Sequence, residues 1–183
     1  MAMKTKGKNL KTRTLPLIHV IGLPGSGKTT LGTALAKRLN LIRLQIGAFR
    51  ARHPESLEGE AGAWLDFYRA LSRRRWRNTI VETTGLNRRA SFLEAAIPLG
   101  RLLTVKLTAS KRVLFARVSK KPKTERGGQW LFSGAYPDKK SFVRKMYATM
   151  KKLPADLTID TSKCTPRQTL NAVIELLKKY RFI

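Results

Sequence analysis

A chain of 183 residues with 42% apolar side chains is long enough to bury one core and too apolar for a disordered polymer. Thirty-eight lysines and arginines face eleven acids, a net charge of +27 that favours anionic partners and repels cationic ones. A single cysteine, Cys164, excludes an internal disulfide and a cysteine-rich zinc site, and no apolar run reaches the roughly eighteen residues of a membrane span. A cytoplasmic location is the expectation.

Residues 1–14 carry five basic side chains and no acid and read as a flexible basic tail; residues 15–183 read as one domain without repeats. Leu17-Ile-His-Val-Ile21 is the first predicted strand, and Lys28 to Leu39 the first helix, with Leu31, Leu35 and Leu39 on one face. Leu41 to Ile46 is a second strand. Ala61 to Arg77 has an apolar stripe of Trp64, Leu65, Tyr68 and Leu71, which predicts a helix packed on the core, whereas Glu55, Glu58 and Glu60 fall in an irregular stretch. Asn78 to Thr83 is a third strand, followed by a helix over Arg88 to Ile97 that Pro98 stops. Arg101 to Ala109 is the fourth strand. Ser110 caps a helix over Lys111 to Ser119, and Asp138 caps a basic helix to Lys152. Between them, Lys120 to Pro137 is polar and aperiodic. Leu157 to Asp160 is the fifth strand, and Thr165-Pro-Arg-Gln168 has capping-box order with proline at the first helical position. Strands alternating with helices predict an α/β protein.

Between the first strand and helix, Gly22-Leu23-Pro24-Gly25-Ser26-Gly27-Lys28-Thr29-Thr30 satisfies Gly-x₄-Gly-Lys-Thr. Glycines let successive N–H groups converge on a phosphate, and the following helix presents its positive end to the same anion. Lys28 supplies a point charge to the β- and γ-phosphates, and the Thr29 hydroxyl is an oxygen ligand for Mg²⁺. The buried strand before the motif and the helix after it are the context this chemistry requires. Glu82, ending a hydrophobic strand, is the candidate carboxylate near the metal. The alternative reading of Glu82 is a carboxylate paired with a local arginine.

With this loop, Val81-Glu-Thr-Thr-Gly-Leu-Asn-Arg-Arg89 and Asp156-Leu-Thr-Ile-Asp-Thr161, residues 15 to 180 resemble the small P-loop kinases, closest to the AAA-like, zeta-toxin-like and polynucleotide-kinase-like group. The resemblance implies a three-layer P-loop NTPase fold with a five-stranded parallel sheet, the loop strand central, and a mobile lid at about 120–137. It further implies ATP and Mg²⁺ as cofactors, with Thr29 and Glu82 at the metal and Arg126 or Arg117 folding over the phosphates. Arg50, in Ile46-Gly-Ala-Phe-Arg50, matches an arginine that holds an acceptor phosphate, and Asn87 and Arg88 would line the same cleft. One departure from the group is clear. Where hydroxyl-phosphorylating members often carry an aspartate base, this chain has Gly47 and Ala48. Either Glu82 serves as base or the acceptor is itself a phosphate.

The expected function is an ATP-dependent phosphotransferase acting on a nucleotide or a nucleic-acid 5′ end, with GTP as an alternative donor. The competing expectations are an ATPase or switch module without an acceptor and a toxin-like sugar-nucleotide kinase. Arg73-Arg-Arg-Trp-Arg77 and Trp130, basic clusters with aromatic rings, admit DNA or RNA as a partner. His19 is expected as a satisfied core histidine; His53 has no partner that the sequence identifies.

Overall fold

The computed structural model describes residues 14–86, 93, 97, 101–120 and 136–183. Its strands are β1 (Leu17–Gly22), β2 (Ile42–Gln45), β3 (Thr79–Thr83), β4 (Leu102–Thr108) and β5 (Leu157–Asp160). They form one all-parallel sheet in the order β2-β3-β1-β4-β5, so the strand feeding the glycine loop is central. Every residue of β1 and β3 is buried, which suits their near-continuous apolar runs.

The described helices are α1 (Lys28–Leu39), α2 (Ile46–Arg50), α3 (Leu57–Ser72), α4 (Lys111–Ser119), α5 (Lys139–Lys152) and α6 (Pro166–Lys179). Alternation along the strands assigns them to two layers. Ile18, Val20, Ile80, Leu103, Val105 and Leu107 point to one face, where α1 contributes Leu31 and Leu35 and α6 contributes Val173 and Leu177. Leu17 and Val81 point to the other, against Phe49 of α2 and Trp64, Phe67 and Leu71 of α3. On that second face, Ile21 meets Leu114 and Val118 of α4 and Phe142, Val143 and Met150 of α5.

The helix starts follow the expected chemistry. Ser110 Oγ accepts from the Val113 amide, and Asp138 Oδ1 accepts from the Ser141 amide. The Thr165–Gln168 capping box is complete. Each such cap stabilises its helix by about 1 kcal/mol.

Three expectations are corrected. α3 begins at Leu57, because Ser56 Oγ takes the Gly59 amide, so Glu58 and Glu60 lie in its first turn and not in an irregular stretch. It ends at Ser72; Arg73 to Asn78 is a tight connection in which Arg75, Trp76 and Asn78 adopt φ of 52°, 56° and 49°. Left-handed backbone is unfavourable for side chains with a Cβ, and here it lets Trp76 turn inward. The ring sits 6.0 Å from Tyr68, packed on the α3 core, so it is no exposed platform for a base. Finally, Ile46 to Arg50 is a short helix, a change of direction hidden by the apolar Leu41-to-Ile46 run. Most of the expected helix over Arg88 to Ile97, apart from the buried Leu93 and Ile97, and most of the stretch from Lys120 to Pro137, with Trp130, lie outside the described residues.

Lys106, midway along β4, is buried on the α5 face. Its Nζ donates to the carbonyls of Lys151, at 3.1 Å, and Leu153, at 2.5 Å. These are orphan carbonyls at the negative end of α5, so the ammonium both caps the helix and ties it to the sheet.

Candidate active site

The glycine loop opens a cleft of about 360 Å³ lined by Gly25, Gly27, Lys28, Thr29, Arg117 and Thr161, and also by Cys164. Backbone geometry explains the residue types. Gly25 and Gly27 have φ of 82° and 93°, and a Cβ on Gly22 would lie 2.5 Å from Ser26 Oγ and 2.6 Å from the Leu107 carbonyl oxygen. No side chain caps α1, whose N-cap is Gly27, so its first-turn N–H groups remain available to an anion. Lys28 Nζ curls back onto the carbonyls of Gly22 and Leu23, at 2.7 and 3.1 Å. A lysine poised over a loop of convergent amides is a fit for a polyphosphate.

Beside the loop, Glu82 points from β3 toward α1 and is only 4% exposed. Thr29 Oγ1 donates to its Oε2 at 3.2 Å, and Gln45 Nε2 donates to the same oxygen at 2.9 Å. Arg43 Nη1 donates to Oε1 at 2.9 Å. The hydroxyl and the carboxylate assigned to a divalent cation are therefore in contact, an all-oxygen pair that suits Mg²⁺. Gln45 also lies 3.3 Å from Thr29 Oγ1, bridging the two. The cluster exists because α1 carries Gly32 one turn on from Thr29, where a Cβ would overlap Glu82 Oε1.

Arg43, Gln45 and Gly32 were missed by motif reasoning. Arg43 and Gln45 alternate along β2 in the register that pairs Gln45 with Glu82. That period of two, polar at the strand end beside a carboxylate, was the available signal. Both readings of Glu82 meet here: it has its arginine, and it also touches the loop threonine.

The second wall is built on Thr161, which follows β5. Its hydroxyl accepts from Arg117 Nη1 at 2.9 Å and lies 3.1 Å from the carbonyls of both Ser26 and Thr108, donating to one. Arg117 Nη2 also donates to the Thr161 carbonyl at 2.9 Å, and Nη1 reaches the Gly25 carbonyl at 3.2 Å. Loop, β4, β5 and α4 are thus joined at one hydroxyl, and Arg117 is held at the edge of the cleft. Among the described residues, the two buried side-chain polar atoms without a partner are Ser26 Oγ and His19 Nδ1. His19 Nε2 pairs with Thr83 Oγ1 at 2.8 Å, and burial pushes the ring's pKa down to about 4.

Arg50 sits on α2 and is clamped by Glu60. Its Nε donates to Oε2 at 2.7 Å and its Nη2 to Oε1 at 2.6 Å, while Trp64 Nε1 adds 2.8 Å to Oε1. This bidentate pair accounts for the buried Glu60. His53 does have a partner, Asp66, at 3.1 Å, and hydrogen bonding to His53 lowers the Asp66 pKa. Asn87, Arg88 and Arg126 lie outside the described residues.

A family model described as AAA domain matches residues 17–129, from β1 past α4. The chain belongs to the AAA domain family. No curated protein matches the sequence. The fold of this AAA domain is similar to a shikimate kinase from Bacteroides thetaiotaomicron, at 20% identity over 90% of this chain and 99% of that one, with a TM-score of 0.61. It is also similar to a gluconokinase from Sinorhizobium meliloti, at 19% identity, 93% and 98% coverage and a TM-score of 0.62. A putative kinase from Chloroflexus aurantiacus gives 22% identity, 91% and 98% coverage and 0.56. The AAA domain therefore has the three-layer P-loop NTPase fold of the small kinases, with the loop at the carboxyl end of the central strand.

Proposed function

We propose that this AAA domain is an ATP- and Mg²⁺-dependent phosphotransferase. The observation that carries the reading is the contact between Thr29 and Glu82 beside the Lys28 loop. That contact assembles the donor half of a kinase: amides and Lys28 for the phosphates, a hydroxyl and a carboxylate for the cation. The metal, when bound, spreads the charge of the transferring group. The chain's own contribution is orientation, with Gln45 and Arg43 holding Glu82, and Thr161 holding Arg117 beside the phosphates. Catalysis of this kind is positioning and charge stabilisation. Arg126 is the lid arginine in this reading.

Glu82 fits the metal role better than the base role. Both its oxygens already accept hydrogen bonds, from Thr29 and Gln45 on one and Arg43 on the other, which holds the carboxylate beside the loop threonine. With Gly47 and Ala48 bringing no carboxylate, an acceptor phosphate needs no base, which favours a nucleotide or a nucleic-acid 5′ phosphate. Arg50, Asn87 and Arg88 are its proposed contacts, and Arg50 must then exchange part of its bond to Glu60. The neighbours named for shikimate and gluconate favour a second reading, a small hydroxylated acid as acceptor.

Incubation with γ-labelled ATP or GTP and a panel of nucleosides, monophosphates, sugar nucleotides, 5′-hydroxyl and 5′-phosphate oligonucleotides, shikimate and gluconate separates these. Label in an acceptor establishes the kinase and names its class. Label appearing only as free phosphate would mean an ATPase or switch module and would overturn the phosphotransferase.

A further inference from the structure

In an all-parallel sheet with helical crossovers, every strand begins at one pole and every following helix returns to it. The nucleotide cleft occupies the opposite pole, at the carboxyl ends. Here β1, β2, β3 and β4 start almost flush, because Leu17, Ile42 and Leu102 share one register line with Thr79. The residues at this amino-end pole are strongly biased. α1 ends in Lys37 and Arg38, and α6 ends in Lys178 and Lys179, followed by Arg181. The α3-to-β3 turn supplies Arg73, Arg74, Arg75 and Arg77, and Arg101 precedes β4. All but the half-buried Arg77 are exposed.

Acids are scarce at this pole among the described residues. Glu175 pairs with Lys178 at 2.9 Å, and Asp156 accepts the Thr104 amide. The other described carboxylates lie at the cleft pole, on loops, helix starts and, for Glu82, the end of β3, or, like Asp66, along α3 beside His53 and Arg69. Most of these cations therefore have no carboxylate partner and share one face.

That face has a definite shape. Three strand spacings make it about 15 Å wide, with helical layers about 10 Å to either side. A nucleic-acid duplex carries one negative charge per roughly 1.7 Å of axis with both strands counted, so about nine phosphates fall within about 15 Å and a flat face meets those on the near side. The ten cations are enough to neutralise every phosphate on that near side. Seven of the ten are arginines, whose forked donors suit phosphate oxygens better than lysine does. Trp76, turned into the core by the left-handed turn, leaves Arg73, Arg74 and Arg75 to carry the face.

We propose that the amino-end pole docks the phosphate backbone of a double-stranded nucleic acid, on the side of the molecule away from the phosphotransfer cleft. The site is a second one, independent of which acceptor the cleft takes. It binds without reading sequence, since it offers charge and no inserted reading element.

The test uses the full chain and about 20-base-pair RNA and DNA duplexes, labelled internally, in a salt titration. Two variants neutralise opposite sides of the pole: Arg73→Ser/Arg74→Ser/Arg75→Asn, and Lys178→Gln/Lys179→Gln/Arg181→Gln. Asparagine suits the left-handed backbone at position 75. A control with equal charge change, Lys140→Gln/Arg144→Gln/Lys145→Gln, lies in the first half of α5, away from the end that leads into β5. Each pole variant is expected to weaken binding at least about tenfold and to reduce the slope of log K against log salt by about 3, at about 0.9 per phosphate contact. The control should lose less than about threefold.

Preference for either duplex supports the proposal and identifies the polymer. Equal weakening by the control, unchanged binding by both pole variants, or capture by phosphatidylserine vesicles with no duplex binding would each overturn it. Failure of the kinase reading is separable: a protein that binds duplex and transfers no phosphate loses the cleft assignment and keeps the pole.

Discussion

Replacing His19 with asparagine isolates the cost of a proton in the centre of the sheet. His19 lies on β1 with its Nε2 on Thr83 and its Nδ1 without a partner, and burial holds its pKa near 4 against 6.5 in a model peptide. The unfolded chain therefore binds this proton first. Stability from the neutral ring is full above pH 6.5, declines as pH falls, and is lost by about pH 4. Two and a half pKa units correspond to a ceiling of about 3 kcal/mol, and at pH 5 the loss is about 2 kcal/mol. For a chain of this length that is a fall in Tm of about 4–8 °C between pH 7.5 and 5. Carboxylates titrate in the same direction, so the quantity to measure is a difference between two proteins. Urea midpoints for the unmodified chain and His19→Asn, followed from pH 7.5 to 4.5, should converge as pH falls. Parallel curves, with no convergence by pH 5, would refute burial of a neutral ring at this position.

Four further outcomes follow from the cleft. Lys28→Ala should abolish the ATP-induced thermal shift and lower turnover by about 10²-fold or more, with the unliganded melting temperature little changed. Gly32→Ala should raise helix propensity by up to about 1 kcal/mol, yet drive Glu82 off Thr29 and Arg43. Its signature is loss of the Mg²⁺-dependent gain in nucleotide affinity while metal-free nucleotide binding, measured by calorimetry, survives. Arg50→Ala strands the buried Glu60 and should cost about 3 kcal/mol of stability by urea unfolding, whereas Arg50→Ala/Glu60→Gln should recover part of it. If Arg50 also holds the acceptor, the double variant will remain raised in acceptor KM. Arg117→Ala frees the Thr161 hydroxyl and should weaken nucleotide binding about tenfold, measured by competition with a fluorescent analogue.

The glycine loop, the five strands and most helix caps were legible because each is local. A capping box needs four residues, and a phosphate loop needs eight. The errors have two sources. α3 starts early because of a local signal left unread, the Ser56 cap on Gly59, and it stops early where the chain turns Trp76 back onto Tyr68. The cleft shows the same division. Lys28, Thr29 and Glu82 announce themselves by spacing or by a charge ending an apolar strand. Gln45, Arg43 and Gly32 acquire meaning only once β2 lies beside β3, and Thr161 only once β5 reaches the loop. Arg50 was legible as a residue and illegible as a pair, since Glu60 reaches it from a helix that the sequence placed elsewhere.

Among the described residues, the amino-end pole is stitched by main chain and by the side chains of Asn78 and Asp156, the latter accepting the Thr104 amide. The Leu17 amide donates to the Arg101 carbonyl, the Asn78 amide donates to the Leu15 carbonyl, and the Leu15 amide donates to Asn78 Oδ1. None of these fasteners uses a guanidinium or an ammonium. The arginines and lysines there are consequently free variables for selection: a lineage can add, delete or reverse them one at a time without unpicking the sheet. The cleft pole has no such latitude, because nearly every polar side chain in it is another's support. One molecule thus carries a conservative end and an adaptable end, and a change of cellular partner need never disturb the catalytic inheritance.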